Sequence, residues 1–254
     1  MIDMSTLRNL LRNDVRLIAR DRMLATMAVA VLTMGVVMRF ALPALDVALA
    51  ESGVMPTPDL DLRFSDTFPA FVVFVALWQG ANIPGVIFGF VLLGEKEDRT
   101  LEAMQVTPLS LRRFAMYRVS VSAVVAFVTI VYLSLSTGWA RVPFLQLLPL
   151  AAAASLAAPL SVLAYATFAT NKIQALAFTK FGGLAGLLIL VGFFVPTPWQ
   201  WPLGIFPPFL VAKAYWMTLD HNAAGALWPL LASVVLQLSL LRVLVHRFVH
   251  TATR

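Results

Sequence analysis

The chain has 254 residues, of which 60% are hydrophobic and only 13% are charged. Soluble domains average about 45–50% apolar and about 25% charged residues, so the composition excludes a soluble globular enzyme and indicates a chain that lies mostly in lipid. Cysteine is absent, which excludes disulfides, thiolate metal sites and a catalytic thiol. The net charge of +6 reflects the placement of basic residues around a membrane, and we expect no nucleic-acid partner.

Residues 1–22 carry two sets of side chains with helical spacing. The apolar set is Met4, Leu7, Leu11, Val15 and Ile18, and the basic set is Arg8, Arg12, Arg16 and Arg20. This pattern predicts an amphipathic helix on the inner leaflet, held by its apolar stripe and by attraction of its arginines to anionic lipid. We assign Arg8, Leu11, Arg12 and Arg16 to this interfacial contact. A topogenic arginine cluster without a defined helix is the alternative.

Six long apolar runs follow, and each is long enough for one membrane-spanning helix. They cover residues 23–42, 68–93, 115–137, 144–170, 177–195 and 223–245. We therefore predict an all-α polytopic membrane protein whose residues 1–254 form a single transmembrane domain. The acidic, Pro-rich stretch from Pro43 to Pro69 is expected to be a surface connector. The alanines from Ala151 to Ala158, followed by Pro159, predict tight packing and a bend in the fourth span.

The basic residues give the orientation. If both termini are cytoplasmic, the basic residues that remain outside are Arg39, Arg63, Arg141 and Lys213, out of 19. This follows the positive-inside rule, and five of the six tryptophans then fall at outer span ends. We expect a multi-pass protein of a prokaryotic plasma membrane. An alternative is a signal peptide in residues 1–50 that is cleaved after Ala48-Leu49-Ala50, but cleavage leaves five spans and spoils the charge distribution.

The predicted spans lack the groups that would power transport or catalysis. None has an Asp or Glu in its interior, where a proton relay or ion ligand would lie. The basic residues in them are expected to reach the headgroups from span ends; they are Arg39, Arg118, Lys180 and Arg242. The three histidines lie at or beyond span ends, which gives no metal or catalytic site. No lysine follows a glycine, as a P-loop requires. The chain is therefore predicted not to be an enzyme and to hold no cofactor, and any ATPase is a separate polypeptide.

The longest inner loop, residues 94–114, contains the segment GEKEDRTLEAMQVTPL from Gly94 to Leu109. Thr100 can cap a short helix, Glu102 suits the positive end of its dipole, and Pro108 disfavours helix at the residue before it. Such a helix would offer Leu101 and Met104 to the groove of a partner. From composition alone, a solvated loop fits equally well.

This loop resembles the corresponding loop of type-2 ABC transporter permeases, in which an acidic pair, Thr-Leu-Glu and Thr-Pro-Leu run between the second and third helices. The matching residues here are Glu95, Glu97, Thr100, Leu101, Glu102, Thr107, Pro108 and Leu109. Arg99 stands where that family often has glycine. Residues 196–222, around GIFPPFLVAKAYW, are similar to the half-inserted outer segment before that family's last helix. With the N-terminal helix and six spans, the resemblance covers nearly the whole chain.

The resemblance implies that residues 94–114 form a short cytoplasmic coupling helix that sits in a cleft of an ABC ATP-binding subunit. Two such subunits, which hold ATP and Mg²⁺, would drive two permeases, either two copies of this chain or this chain with a homologous permease. The residues that the resemblance assigns to coupling are Glu95, Glu97, Thr100, Leu101, Glu102, Met104, Thr107 and Pro108.

Polar and small residues in the second and fifth spans are the candidates for the pathway or the dimer interface. They are Trp78, Gln79, Asn82, Gly85, Gly89, Gln174, Gly182 and Gly186. Glycines four residues apart permit close helix approach, and amides in hydrocarbon need partners. The alternative for each residue is ordinary packing between helices.

Together these features predict the permease subunit of an ATP-driven exporter. Within its family the chain looks most like drug export permeases, including fluoroquinolone-type ones, through EKE, TLEA and VTPL. An apolar or amphiphilic small molecule suits the uncharged, aromatic-rich membrane part. Haem-like or lipid-like cargo is the alternative within this class. The alternative from another class is a membrane scaffold or sensor that recruits a cytoplasmic partner without transport.

Overall fold

The computed structural model describes residues 4–52, 63–98 and 111–252, which form helices joined by short turns. Six helical stretches in these ranges are long and apolar enough to cross a membrane. They are Arg22–Ser52, Phe64–Glu97, Arg113–Thr137, Phe144–Phe168, Lys172–Phe194 and Ala223–Phe248. The prediction of an all-α polytopic membrane protein with six spans is confirmed, and we number these stretches spans 1 to 6.

The α-helices are numbered in chain order. Their bounds are α1 Met4–Arg20, α2 Arg22–Ser52, α3 Phe68–Val72, α4 Gly80–Glu97, α5 Leu111–Thr137, α6 Phe144–Ser155, α7 Ala157–Phe168, α8 Lys172–Phe194, α9 Pro207–Leu219 and α10 Ala223–Ala252. Two 3₁₀ turns cover Phe64–Thr67 and Trp201–Ile205, and a π-helical segment covers Val73–Gln79.

Span 1 is longer than its apolar run predicted. Helix α2 continues through Pro43 to Ser52, so the prediction of a connector from Pro43 onward is wrong for this part. The extension is tied to the start of span 2, because Asp46 Oδ1 accepts a hydrogen bond from the backbone N–H of Ser65 at 3.1 Å. That contact lies between residues 19 positions apart and is not visible as a local pattern.

Span 2 lies at the centre of the bundle. It combines the first 3₁₀ turn, α3, the π-helical segment and α4, and most of its described side chains are buried. Helix α4 packs against α5 and α7, so span 2 contacts spans 3 and 4 over much of its length. Spans 1, 5 and 6 instead expose long apolar faces toward the outside of the bundle.

Span 4 is interrupted at Leu156, between α6 and α7. The interruption agrees with Pro159, whose ring clashes with the carbonyl four residues earlier, that of Ser155, and which has no N–H to donate to it. The predicted tight packing of the alanines is also present, since Ala151, Ala153 and Ala158 are buried in the main core.

Residues 196–222, which separate spans 5 and 6, fold into the second 3₁₀ turn and the short helix α9. Helix α9 is well buried: Phe209 and Tyr215 have no exposed surface, and both belong to the main core. It packs against α10, and Ser233 Oγ donates a hydrogen bond to the carbonyl of Pro207 at 2.8 Å. How deeply this segment enters the membrane stays a prediction.

Helix α1 lies beside the ends of spans 2 and 3. Its Leu10 and Ile18 pack on a buried group that includes Phe114 of α5 and Phe248 of α10. We call this end of the bundle the α1 end. Arg8, Leu11, Arg12 and Arg16 are exposed on the other side of α1, as a helix that contacts a membrane surface requires; their contact with lipid stays a prediction.

Candidate functional site

Four polar side chains meet at the α1 end, three of them buried and the fourth, that of Glu95, 13% exposed. They are Asp14 of α1, Glu95 of α4, and Tyr117 and Arg118 of α5, and we call them the charge cluster. Arg118 has no exposed surface, and its Nη1 donates to Asp14 Oδ1 at 2.7 Å. Its Nη2 donates to Glu95 Oε1. The hydroxyl of Tyr117 donates to Asp14 Oδ2 at 2.7 Å. One guanidinium therefore joins three helices.

The burial of Arg118 overturns the prediction that this side chain reaches the headgroups. Two carboxylates from neighbouring helices offer it partners inside the protein, and a buried cation is stable only when such partners replace its lost hydration. Its Cζ also lies 5.1 Å and 5.6 Å from the ring centroids of Phe114 and Tyr117, within cation–π range. The other three basic residues predicted to lie at span ends are exposed; they are Arg39, Lys180 and Arg242.

The two residues after Glu95 link span 2 to spans 4 and 5. Lys96 Nζ donates to the carbonyls of Ala166 and Ala169, at 3.0 Å and 3.4 Å, at the end of α7. Glu97 accepts a hydrogen bond from the backbone N–H of Lys172, the first residue of α8, at 2.8 Å. A cation at a helix C-terminus and an anion at a helix N-terminus both complement the helix dipole. The α1 end of span 2 is thus connected to the three spans that follow it.

Of the residues assigned to coupling, the structure describes Glu95 and Glu97, and both have partners within the chain. The others lie outside the described residues, and their role stays a prediction. They are Thr100, Leu101, Glu102, Met104, Thr107 and Pro108.

Several candidate pathway residues meet where span 2 faces span 5. A Cβ added at Gly186 would lie 2.3 Å from Trp78 Nε1, so the indole packs directly on that glycine. A Cβ at Gly182 would lie 3.4 Å from Asn82 Oδ1. Asn82 Nδ2 donates to Gln79 Oε1 at 3.3 Å. Trp78 and Gln79 end the π-helical segment, and such irregular turns recur at functional positions.

The buried Trp78 Nε1 has no hydrogen-bond partner among the described residues. The ring of Phe206, from the segment between spans 5 and 6, lies 5.1 Å from the indole in an edge-on arrangement. This contact brings together span 2, span 5 and the segment that follows span 5. We call Trp78, Gln79, Asn82, Gly182 and Gly186 the tryptophan cluster.

The remaining candidate pathway residues lie elsewhere. Gly85 and Gly89 face span 4, where an added Cβ would come within 2.9 Å of the carbonyl oxygen of Ala158 and within 2.5 Å of Tyr165 Cδ2, respectively. Gln174 lies in the first turn of α8, where its Oε1 accepts hydrogen bonds from Thr170 N and Oγ1 at 2.8 Å and 2.9 Å. Gly85 and Gly89 thus pack against span 4, and Gln174 contributes to the start of α8. None of the three belongs to the tryptophan cluster.

Span 6 contains a buried polar pair, Ser233 and Gln237, that the sequence analysis does not predict. Gln237 Nε2 donates to the carbonyl of Ala153 at 3.0 Å and to Ser233 Oγ at 2.9 Å, which connects span 6 to span 4. The available signal was Gln237 itself, because an amide in the middle of an apolar run needs a polar partner.

A second polar contact that the sequence did not predict involves Gln200, which caps the end of span 5 that lies opposite α1. Gln200 Nε2 donates to the carbonyls of Gly192 and Val195, at 3.0 Å and 2.6 Å, which lack helical partners at the end of α8. Lys213 Nζ donates to Gln200 Oε1 at 2.5 Å and lies 6.0 Å from the centroid of the Trp201 ring. Gln200 thus joins α8 to α9.

The environment of Lys213 predicts a pH dependence of stability. Burial lowers the pKa of its ammonium, and the opposing effect of Asp220 is smaller. At pH values between this lowered pKa and the ordinary lysine value of 10.5, Lys213 binds more protons in the unfolded chain than in the folded chain. The stability attributable to Lys213 therefore rises with pH in this range. We expect the melting temperature in detergent to rise more between pH 8 and pH 10 for the wild-type chain than for Lys213→Met. Equal slopes would contradict this assignment.

The part of the chain that the structure describes holds no group of three or more His, Asp or Glu side chains that could bind a metal ion. The charge cluster has acids and a cation in contact, an arrangement suited to fixing helices in register.

Comparison with known proteins gives a consistent result over nearly the whole chain. Residues 14–245 match the family described as "Fluoroquinolones export permease protein Rv2686c-like". Two relatives come from Mycobacterium tuberculosis: fluoroquinolones export permease protein Rv2686c of strain ATCC 25618 / H37Rv and fluoroquinolones export permease protein MT2760 of strain CDC 1551 / Oshkosh. Each is 31% identical over 246 residues, which cover 93% of this chain and 91% of the relative. No solved structure matches.

Proposed function

Because this chain belongs to the Rv2686c-like family of fluoroquinolones export permeases, we propose that it is the permease subunit of an ATP-driven ABC exporter. The observation that carries the proposal is the family match over residues 14–245 of a chain with six membrane-spanning helices. ATP and Mg²⁺ belong to a separate cytoplasmic subunit, expected in two copies, because no lysine here follows a glycine as a P-loop requires.

The α1 end is proposed to face the cytoplasm of a prokaryotic cell, with both termini inside the plasma membrane. The placement of basic residues supports this orientation. Residues 94–114 would then face the ATP-binding subunits and act as the coupling segment. The connections of Lys96 and Glu97 support this role, since they join its start to spans 4 and 5.

The pathway is proposed to form between this chain and a second permease, either another copy or a homologue. Six spans provide one half of such a transporter. The apolar outer faces of spans 1 and 5 supply surface for the partner and for lipid. The tryptophan cluster is the proposed contact for cargo, because the buried Trp78 Nε1 has no hydrogen-bond partner among the described residues in an apolar, aromatic environment. Cargo would reach this donor only when Phe206 or span 5 moves away from the indole.

The substrate is proposed to be an amphiphilic, drug-like small molecule, with a fluoroquinolone as the first compound to test because the two relatives carry that substrate in their names. The test is reconstitution of this chain with its ATP-binding subunit into vesicles. ATP-dependent accumulation of the fluoroquinolone should require both chains and should vanish when the partner's P-loop lysine is replaced. Binding of the partner without transport would instead support a scaffold or sensor.

Substitutions in the coupling segment should separate ATP hydrolysis from transport. We expect Leu101→Glu and Glu102→Lys to reduce transport at least about fivefold, the lower end of the usual coupling between two sites. ATP hydrolysis by the partner should continue, because its catalytic site is on another chain. Arg242→Gln, an exposed change on α10, is the control. If pull-down of the partner and transport both survive the loop substitutions, the coupling assignment is wrong.

A further inference from the structure

The charge cluster has a geometry that goes beyond a simple ion pair. The two terminal nitrogens of Arg118 contact carboxylates on two different helices, Asp14 on α1 and Glu95 on α4, while Arg118 itself lies on α5. A planar guanidinium can bridge two acceptors in fixed directions, whereas the point charge of a lysine cannot. The contact therefore fixes three helices relative to one another.

Stability alone does not account for this arrangement. The cluster adjoins a buried apolar group through Phe114 and Tyr117, whose rings lie beside Arg118, and Asp14 and Arg118 are almost fully enclosed. In such surroundings, well-packed apolar residues usually stabilise a fold as well as an ion pair or better, and the best-attested use of buried charge is to define register. The cluster also brings two carboxyl groups to one guanidinium, and charge taken out of water is costly even when it is paired.

The position of the cluster indicates which helices it holds in a fixed arrangement. Glu95 is near the end of α4, and Arg118 is near the start of α5, so the two residues stand on either side of residues 99–110 in the chain. The described residues next to Glu95 are connected onward to spans 4 and 5. A displacement applied between α4 and α5 would therefore reach α1 and most of the bundle together.

We infer that Arg118 is a positioning residue that locks α1, span 2 and span 3 into one unit for the transmission of ATP-driven movement. This inference rests on the proposed function. Without the lock, a partner would still bind and hydrolyse ATP, but α1 and the two flanking spans would respond separately. The cluster would thus set how much transport each hydrolysed ATP produces.

The test uses Arg118→Lys, which keeps the positive charge, with Arg242→Lys at an exposed position of α10 as the matched control. In the reconstituted complex, Arg118→Lys should lower transport per ATP hydrolysed at least about fivefold, with assembly and the KM for ATP unchanged. Asp14→Asn should act in the same direction. If Arg118→Lys instead lowers the amount of assembled complex, and transport and ATP hydrolysis fall by that same factor, the role of Arg118 is merely structural. This result would overturn the inference.

A second measurement needs no partner protein. The chain has no cysteine, so Arg12→Cys on α1 and Val128→Cys on the exposed face of α5 permit specific spin labelling. Pulsed EPR should give a narrow distance distribution that broadens with Arg118→Lys. An unchanged distribution would also overturn the inference. If the wild-type complex does not transport but the broadening occurs, the proposed function is wrong while the lock itself stands.

Discussion

Replacement of Arg118 by methionine is expected to lower the free energy of unfolding by about 3–5 kcal/mol, the usual cost of removing one partner of a buried ion pair. The substitution leaves the buried carboxylate of Asp14 and the largely buried carboxylate of Glu95 without the cation that both contact. Methionine retains much of the side-chain volume, so the loss reflects charge more than a cavity. The measurement is titration with a denaturing detergent in mixed micelles.

Two further variants make this prediction specific. Arg242→Met, an equivalent change at an exposed position of α10, should leave the unfolding free energy unchanged within error. The triple variant Asp14→Leu, Glu95→Met and Arg118→Met removes all three charges and should recover most of the lost stability, since an apolar replacement of a buried ion cluster is often neutral or better. A triple variant as unstable as Arg118→Met would show that the surrounding helices cannot repack.

The triple variant also separates the effect of the charge cluster on stability from its effect on the transmission of ATP-driven movement. It should fold and bind lipid and partner as the wild-type chain does, yet it lacks the directed contacts that hold α1 against spans 2 and 3. If the cluster acts by fixing the three helices relative to one another, the triple variant will be stable but will still transport little cargo per ATP hydrolysed.

The six spans could be predicted because a long apolar run is a property of contiguous sequence. Their ends could not be predicted as well. Pro43 and Asp46 look like connector residues, yet α2 continues past both because Asp46 finds a partner at Ser65. Span 5 begins at Lys172, five residues before its apolar run, because Asn171 caps the helix by accepting from Gln174 N. Capping and tertiary hydrogen bonds extend helices into polar sequence.

The charge cluster could not be located from sequence because Asp14 and Arg118 are 104 positions apart. The sequence contained half of the signal: Arg118 lies inside a largely apolar run, and such a residue needs either a headgroup or a buried partner. Proximity to the span end favours the headgroup, whereas the two carboxylates come from α1 and α4, which pack beside the start of α5. The tryptophan cluster was partly predicted, since polar and small residues on spans 2 and 5 indicated a contact, but Gly85 and Gly89 face span 4 instead.

Gly186→Ala is expected to destabilise the fold by about 1–3 kcal/mol, the usual cost of adding a methyl group to a filled core. The new Cβ would lie 2.3 Å from Trp78 Nε1 and 2.9 Å from Phe74 Cε2, so both rings must move. The indole has little room, because Phe206 covers its other side at 5.1 Å. The greater helix propensity of alanine offsets at most about 1 kcal/mol. The same mixed-micelle titration measures the change.

Gly183→Ala is the matched control, on the same helix and three residues away. Apart from the adjoining turns of α8 itself, no atom of the described residues lies within 4 Å of the added Cβ, so only the propensity gain operates and stability should be unchanged or slightly higher. Combining Gly186→Ala with Trp78→Phe removes the closest clashing atom and should recover part of the loss, a non-additivity expected only for residues in contact. If Gly183→Ala and Gly186→Ala behave alike, spans 2 and 5 are not packed as described. If the double variant recovers stability but not transport, Trp78 contributes to cargo handling beyond its packing against span 5.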